Sequence, residues 1–391
     1  SCSRPCRNCL QNSWYKWMLA KFFRRPLVQR LRRSCWPIIP LAVAILYWGT
    51  QLQWSVSYDL QMPSGHLIRL SACVLFAVVG FVVSSRAWRR HTYLIYAICV
   101  LLLILVMFIG RETNHSRRWI DMFAGFKIQP SEFMKLAMIL ALSKWFADHP
   151  RPQTIRAIIK PAIMCFVPAF LVLIEPDLGT SLVFVPLFMT FVWMAGMPWK
   201  KYRWLVLLPL FLAPAAWLVI QDYQKERVMT WWHQNELSPE ELAAEGYHLW
   251  HSKLAVGSGG MQGYGWGQGP ENRLGRLPER HNDFVFPVIA EESGFIGATS
   301  FLLLYLSFGL LLIYYSSRHR CRFTRLVLAG VGVHFLSHMV INVGVTLGVW
   351  PTTGLPLPMI SFGGSSMMIS GAAIGIALSV GGNRAPLLSS R

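Results

Sequence analysis

"TYLIYAICVLLLILVMFIG", Thr92 to Gly110, runs nineteen residues without a charged side chain. A helix on the surface of a soluble domain would show a polar face within that length. A membrane span needs about 20 mostly apolar residues, and this stretch has that character. Nine further stretches read as spans: 36–54, 67–85, 130–147, 161–175, 180–197, 203–221, 285–315, 326–345 and 363–381. The apolar runs are continuous rather than alternating, which excludes a membrane β-barrel. Across all 391 residues, 54% are hydrophobic and only 14% charged, the balance of a polytopic membrane protein. The expected fold is therefore all-α, with about ten transmembrane helices and a large extracytoplasmic loop between helices seven and eight.

The net charge of +19 is distributed by side. On the ten-span plan, 25 Lys and Arg fall on the face that holds both termini, and ten on the opposite face. The positive-inside rule makes the first face cytoplasmic. The charge then sets orientation and meets anionic lipid, and no nucleic-acid partner is needed to explain it. Residues 1–35 form a basic cytoplasmic tail, 36–381 one membrane domain and 382–391 a short cytoplasmic tail. The stretch before Trp36 has no apolar core of its own, so no cleavable leader is expected. Cys2, Cys6 and Cys9 cluster in the first tail without the second ligand pair that a zinc site needs. Cys35, Cys73, Cys99 and Cys165 read as small buried hydrophobes.

Two connections on the outer face are long. One runs from Arg111 to Gln129, the other over 222–284. In the second, "SPEE" (238–241) starts a helix, with Ser238 as N-cap and Glu241 completing a capping box. Leu242, Leu249, Trp250 and Leu254 would line its apolar face, and Gly257 would end it. This amphipathic helix is expected to lie along the membrane surface. "GSGGMQGYGWGQG" (257–269) follows. It lacks the Lys-Ser/Thr of a P-loop and reads as a flexible loop, with a backbone anion nest as the alternative. No internal repeat is visible.

Ionisable residues inside spans are costly and mark function or structural pairing. Glu132 and Lys135, three apart, share a helix face: either a structural ion pair or part of a substrate site. Glu175 and Asp177 flank Pro176 at the outer end of span five. Glu291 and Glu292 sit early in span eight, where the helix dipole favours acids. Arg117, Arg118 and Trp119 make an interfacial anchor or, through the planar guanidinium fork, a phosphate clamp. "LPERHNDFVFPVIAEESG" (277–294) packs five polar or ionisable residues, Glu279 to Asp283, at the edge of span eight. Asp283 is the last charge before the membrane. Low dielectric there would fit it to take a proton from a sugar hydroxyl. Alternatively it caps span eight with Asn282.

These residues resemble the SEDS family (shape, elongation, division and sporulation; the RodA/FtsW/SpoVE group). The signature is "LPERHNDFVFPVIAEESGFIG". Four more blocks agree with it: "RRWI…IQPSEFMK" (117–135), "EPDLGT" (175–180), "KLAVGSGGMQGYGWGQG" (253–269) and "GLPLPMISFGGSS" (354–366). "PERH" before the aspartate is more like the RodA branch. Asn282 and Pro287 stand where the family usually has Thr and often Ala. The resemblance implies a peptidoglycan glycosyltransferase of the bacterial cytoplasmic membrane. It would polymerise lipid II, the undecaprenyl-pyrophosphate-linked disaccharide-pentapeptide, beside a class B penicillin-binding protein. Asp283 aligns with the catalytic aspartate. Arg118, Lys135 and Arg280 would neutralise the pyrophosphate, and Glu132, Asp177 and His281 complete the substrate-binding set. Glu175, Glu291, Glu292 and Ser365 would line the polar cavity. The outer carboxylates leave room for a divalent cation. The alternatives are a lipid II flippase and a non-catalytic scaffold for the penicillin-binding protein.

Overall fold

The computed structural model describes residues 34–57, 63–113, 116–121, 127–152, 154–219, 222–236 and 246–382. The two terminal tails, the Cys2, Cys6 and Cys9 cluster and the Ser238 capping box lie outside the described residues. Among the described residues, seven long helices precede the large 222–284 loop: α1 (Ile38–Val56), α2 (Pro63–Val82), α3 (Ser85–Ile109), α4 (Pro130–Asp148), α5 (Arg156–Ile174), α6 (Leu178–Met194) and α7 (Trp199–Val219). The loop carries α8 (Asp222–Trp232), α9 (Tyr247–Ser258) and α10 (Pro270–Arg273). Three long helices close the chain: α11 (Val285–Arg318), α12 (Arg322–Thr346) and α13 (Gly364–Gly381).

Among the described residues, six helices are long and apolar enough to cross a membrane: α2, α3, α5, α11, α12 and α13. The protein is a helical multi-pass membrane protein. α4 is less apolar for a physical reason. It is buried from Ser131 to Ser143 almost all round, so protein rather than lipid surrounds it, and it carries the Glu132–Lys135 pair. α12 and α13 are likewise enclosed, whereas α2 and α3 turn Leu75, Ile98, Leu101 and Phe108 outward. Cys35, Cys73, Cys99 and Cys165 are all buried, as their apolar surroundings in the sequence implied.

α2 is held chiefly by α13. Gly371 and Gly375 lie one turn apart on α13, against the carbonyls of Cys73 and Ala77 on α2. A Cβ at either position would overlap those oxygens. Small residues four apart let helix backbones approach closely in lipid, where dispersion replaces the hydrophobic effect as the association force.

Four features depart from the sequence reading. The 111–129 connection is not plain loop: β1 (Arg111–Thr113), β2 (Ser116–Asp121) and β3 (Lys127–Ile128) form an antiparallel sheet in the order β1-β2-β3. The large loop holds more than one helix, since α8 follows α7 closely. α9 buries Leu249, Ser252 and Ala255, while Trp250 and Leu254 face outward. Its small side chains allow close docking on α11 and α12, where Ser252 Oγ donates to the Thr346 carbonyl at 2.7 Å.

The fourth departure concerns α11, which is broken at Gly294 (φ 66°, ψ −170°). Segment 257–269 is not free loop but fills that break. Tyr264 N donates to Glu291 O at 3.1 Å and Gly265 N to Glu292 O at 2.8 Å. Phe295 N donates to Gly260 O at 2.8 Å and Ile296 N to Met261 O at 3.2 Å. Backbone groups freed by a break inside a membrane protein must find partners. A Cβ at Gly263 would overlap the Glu292 carbonyl, so the glycine permits the approach.

Gly371→Val is expected to destabilise the fold by about 2–3 kcal/mol or more, by forcing α13 off α2. Gly257→Ala, where an added Cβ meets nothing within 4 Å, should not. Thermal unfolding of both purified variants in one detergent measures the difference; equal melting temperatures would refute the close-packing account.

Candidate active site

The site forms where the outer ends of α1, α5, α6, α11 and α12 meet the sheet and the 351–363 segment. Asp283 precedes α11. The helix N-cap is Phe284 and no side chain caps it, so Asp283 does not serve as the cap. Asn282 Nδ2 donates instead to Glu279 Oε2 at 3.0 Å.

The backbone on either side of Asp283 is tightly held. Asn342 Nδ2 on α12 donates to Asp283 O at 2.8 Å and to Leu355 O at 2.8 Å. Ser361 Oγ donates to Asn282 O at 2.5 Å. Gln53 Nε2 on α1 donates to His281 O at 3.2 Å, and Phe362 N to the same oxygen at 2.8 Å. The Asp283 side chain itself is half-buried, and its carboxylate takes no hydrogen bond among the described residues. Burial raises its pKa to about 7, helped by the negative charges of Glu279 and Asp177 and opposed by Arg227 and Arg118.

Arg118, on β2, clamps the turn after α5. Nε donates to Glu175 O at 2.7 Å, Nη2 donates to Pro176 O, and Nη1 lies 4.0 Å from Asp177 Oδ1. Asp177 caps α6 by accepting from Thr180 N at 3.1 Å, and accepts from Gln129 Nε2 at 2.8 Å. Both carboxylate oxygens of Glu175 are buried without a hydrogen-bond partner. Ser365 Oγ accepts from Gln129 N at 2.9 Å and donates to Lys127 O at 3.1 Å, pinning β3 and the start of α4 to α13.

Glu132 and Lys135 do not open onto this surface. Lys135 is 0% exposed, its Nζ 2.7 Å from Glu132 Oε1 and 2.9 Å from His338 Nε2. His338 Nδ1 lies 3.0 Å from Pro356 O, so Nδ1 carries the proton and Nε2 accepts from Lys135. The pair therefore ties α4 to α12.

Glu291 and Glu292 hold the loop rather than line a cavity. Glu291 Oε1 accepts from Glu271 N at 2.7 Å and Oε2 from Asn272 N at 3.2 Å, at the start of α10. Glu292 Oε1 accepts from Asn272 Nδ2 at 2.7 Å and from Ser55 Oγ at 2.5 Å. Arg280 Nη1 donates to Asn272 O, which draws the Asp283 segment onto the same knot. His281 packs edge-on against Phe362, and burial lowers its pKa. Among the described residues, no three His, Cys, Asp or Glu side chains gather as metal ligands.

Gln53, His338, Asn342 and Ser361 were not singled out in the sequence. The first three are polar residues inside apolar spans, a weaker signal than a formal charge but one that still calls for a partner. Arg227, on α8, also bears on Asp283, and its signal was an arginine on the outer face.

The described residues thus form a helical membrane bundle in which Asp283, its pKa raised by burial to about 7, lies within the influence of Arg118 and Arg227. Residues 43–385 match the FtsW/RodA/SpoVE family, described as cell cycle proteins, and the chain belongs to that family. It is 31% identical over 353 residues to peptidoglycan glycosyltransferase MrdB of Escherichia coli (strain K12), covering 90% of this chain and 94% of that one. The fold is similar to a solved structure described as "Structural coordination of polymerization and crosslinking by a peptidoglycan synthase complex". The TM-score is 0.76 at 30% identity, covering 88% of this chain and 97% of that one. It is also similar to the rod shape determining protein RodA of Thermus thermophilus, with a TM-score of 0.67 at 28% identity, covering 88% and 96%.

The enclosed pair and the half-buried Asp283 each make a testable claim. Lys135→Ala strands Glu132 in the core and should cost about 3–5 kcal/mol, whereas Glu132→Gln with Lys135→Met should recover most of it; denaturant titration of the three proteins decides. For Asp283, the native pKa of about 7 lies above the ordinary carboxylate value near 3.8. The folded state therefore binds the extra proton, and this group makes stability fall as pH rises between those values. Asp283→Asn should melt progressively higher than wild type as pH rises from about 5 to about 7; a constant offset would refute the raised pKa.

Proposed function

We propose that this chain polymerises lipid II into glycan strands at the outer face of the bacterial cytoplasmic membrane, with Asp283 as general base. Its enzymatic class is peptidoglycan glycosyltransferase. The setting of Asp283 supports the mechanism: its backbone is fixed by Asn342, its carboxylate has no hydrogen-bond partner among the described residues, and burial raises its pKa to about 7. A base of that strength is half ionised at neutral pH, close to the optimum for proton transfer.

The acceptor sugar's 4-hydroxyl gives its proton to the Asp283 carboxylate as its oxygen attacks the donor's anomeric carbon. The bond to undecaprenyl pyrophosphate breaks on the opposite side, so the α-linked donor becomes a β-linked product. Arg118, Arg227 and Arg280 face the leaving pyrophosphate, and their charges stabilise the negative charge that develops on it. Arg118 is already oriented by the turn carbonyls of Glu175 and Pro176. His281 borders the sugar, and buried Asp177 holds the α6 cap and Gln129 beside it. Lys135, enclosed by Glu132 and His338, positions α4 against α12 rather than meeting substrate.

The ten long helices span the bilayer with both termini cytoplasmic and 222–284 as the large extracytoplasmic loop. The lipid tail of the substrate stays in the membrane while its sugars reach Asp283 at the boundary. "PERH" before Asp283 supports the elongation branch, working beside a class B penicillin-binding protein that crosslinks the strands.

The test is polymerisation of fluorescent lipid II by the purified chain with its cognate penicillin-binding partner. Wild type should make long strands, and folded Asp283→Asn should lose at least about a hundredfold in rate, the scale of a lost general base. Wild-type rate should also rise with pH through about 7 and then level off. Equal polymerisation by both proteins would refute the base assignment. Polymerisation by neither, in an intact complex, would favour lipid II transport or scaffolding.

A further inference from the structure

At the end of α4 and α12 away from Asp283, three connections meet around a cavity of about 240 Å³. Its walls are Arg151 from the α4–α5 connection, Met194, Ala195 and Gly196 from the α6–α7 turn, and Arg322, Arg325 and Leu326 from the start of α12. α12 has 25 residues, so about 37 Å of helix separates this cavity from the outer site.

Three arginines and no acid line the cavity. None of the three makes an ion pair among the described residues, and the charges of Arg151 and Arg325 both bear on the Arg322 guanidinium. Such a cluster repels itself, and no acid among the described residues pairs with it. The Arg322 side chain and the Arg151 backbone are nonetheless fixed. The Ala195 carbonyl accepts from Arg151 N at 3.1 Å and from Arg322 Nη2 at 3.0 Å, which fixes two walls to one atom. Arg322 Nε is buried and has no partner among the described residues. The volume leaves room for a phosphate group.

Its place in the membrane is marked by aromatic rings. Trp193, Trp199 and Tyr202 cluster at the same α6–α7 turn, with Trp193 and Trp199 exposed. Exposed Trp and Tyr in a spanning protein sit at headgroup level. The face is the basic one, where anionic lipid is attracted.

We propose that this cavity is a binding site for a phosphate group, supplied by the headgroup of an anionic phospholipid. The planar guanidinium forks of Arg151, Arg322 and Arg325 match phosphate oxygens, and a bound anion relieves their mutual repulsion. The acyl chains then pass along the exposed aromatic surface.

The test uses the purified full chain in detergent, titrated by calorimetry with short-chain phosphatidylglycerol, short-chain phosphatidylcholine and inorganic phosphate. Phosphatidylglycerol should bind and phosphatidylcholine should not. Arg151→Gln and Arg325→Gln should each weaken binding about tenfold, the scale of one lost charge-assisted contact. Arg320→Gln, beside α12 but outside the cavity wall, should leave it unchanged. Arg322 is left intact because it also holds Ala195. If inorganic phosphate binds as tightly with the same arginine dependence, the site stands and its phosphate comes from solution. If Arg320→Gln weakens binding as much as the others, or phosphatidylcholine binds equally, the proposal is overturned.

Discussion

The break in α11 at Gly294 is the constraint on which the outer half of the molecule depends. Interrupting a helix within a membrane bundle exposes carbonyls and N–H groups that lipid cannot satisfy. The glycine-rich segment before α10 supplies their partners from both sides of the break. That requirement brings the loop down onto α11. Glu291 then receives the first N–H groups of α10, Glu292 receives the Asn272 amide, and the Asn272 carbonyl receives Arg280. Arg280 stands three residues before Asp283, so each link shortens the path from the helix break to the base. Substituting any member of this chain of contacts loosens the base as well as the loop.

The charges of the site divide into those that hold structure and those left available. Glu132 and Lys135 are enclosed and paired, with His338 completing the set. Asp177 is committed to the α6 cap and to Gln129. Arg118 directs Nε and Nη2 at turn carbonyls, which orients the guanidinium while its full charge persists. Carbonyl acceptors position a cation without neutralising it, so the Arg118 charge still bears on Asp283.

Much of this was legible in the residues. Continuous apolar runs located the long helices, because a bilayer demands length and apolarity together. The Asp283 block stood out as concentrated polarity at a membrane edge. Other features were hidden for physical reasons. The role of 257–269 depends on a break in a helix that follows it in sequence, and glycine composition alone describes mobility and close approach equally well. α9 turns Trp250 and Leu254 outward because tight docking favours Ser252 and Ala255, a preference that hydrophobic periodicity does not register. The sheet of β1 to β3 is too short to leave an alternating pattern. Gln53, Asn342 and His338 carry no formal charge, so they stand out less than Glu132 or Lys135 in an apolar run. Uncharged polar groups in a span nonetheless need partners there just as charges do.

The general base proposed at Asp283 poses a positioning problem: donors on its carboxylate would fix it, but they would also lower its pKa and weaken it. The chain solves this through the backbone. The carbonyls of His281, Asn282 and Asp283 are taken in turn by Gln53, Ser361 and Asn342, from α1, the 351–363 segment and α12. Three consecutive anchors from three parts of the bundle restrict the main chain, and the side-chain torsions alone remain to aim the carboxylate. Among the described residues its oxygens meet no donor, and burial and the neighbouring acids raise its pKa to about 7. The neutral polar residues thus fix the Asp283 backbone without adding a charge or a donor at its carboxylate.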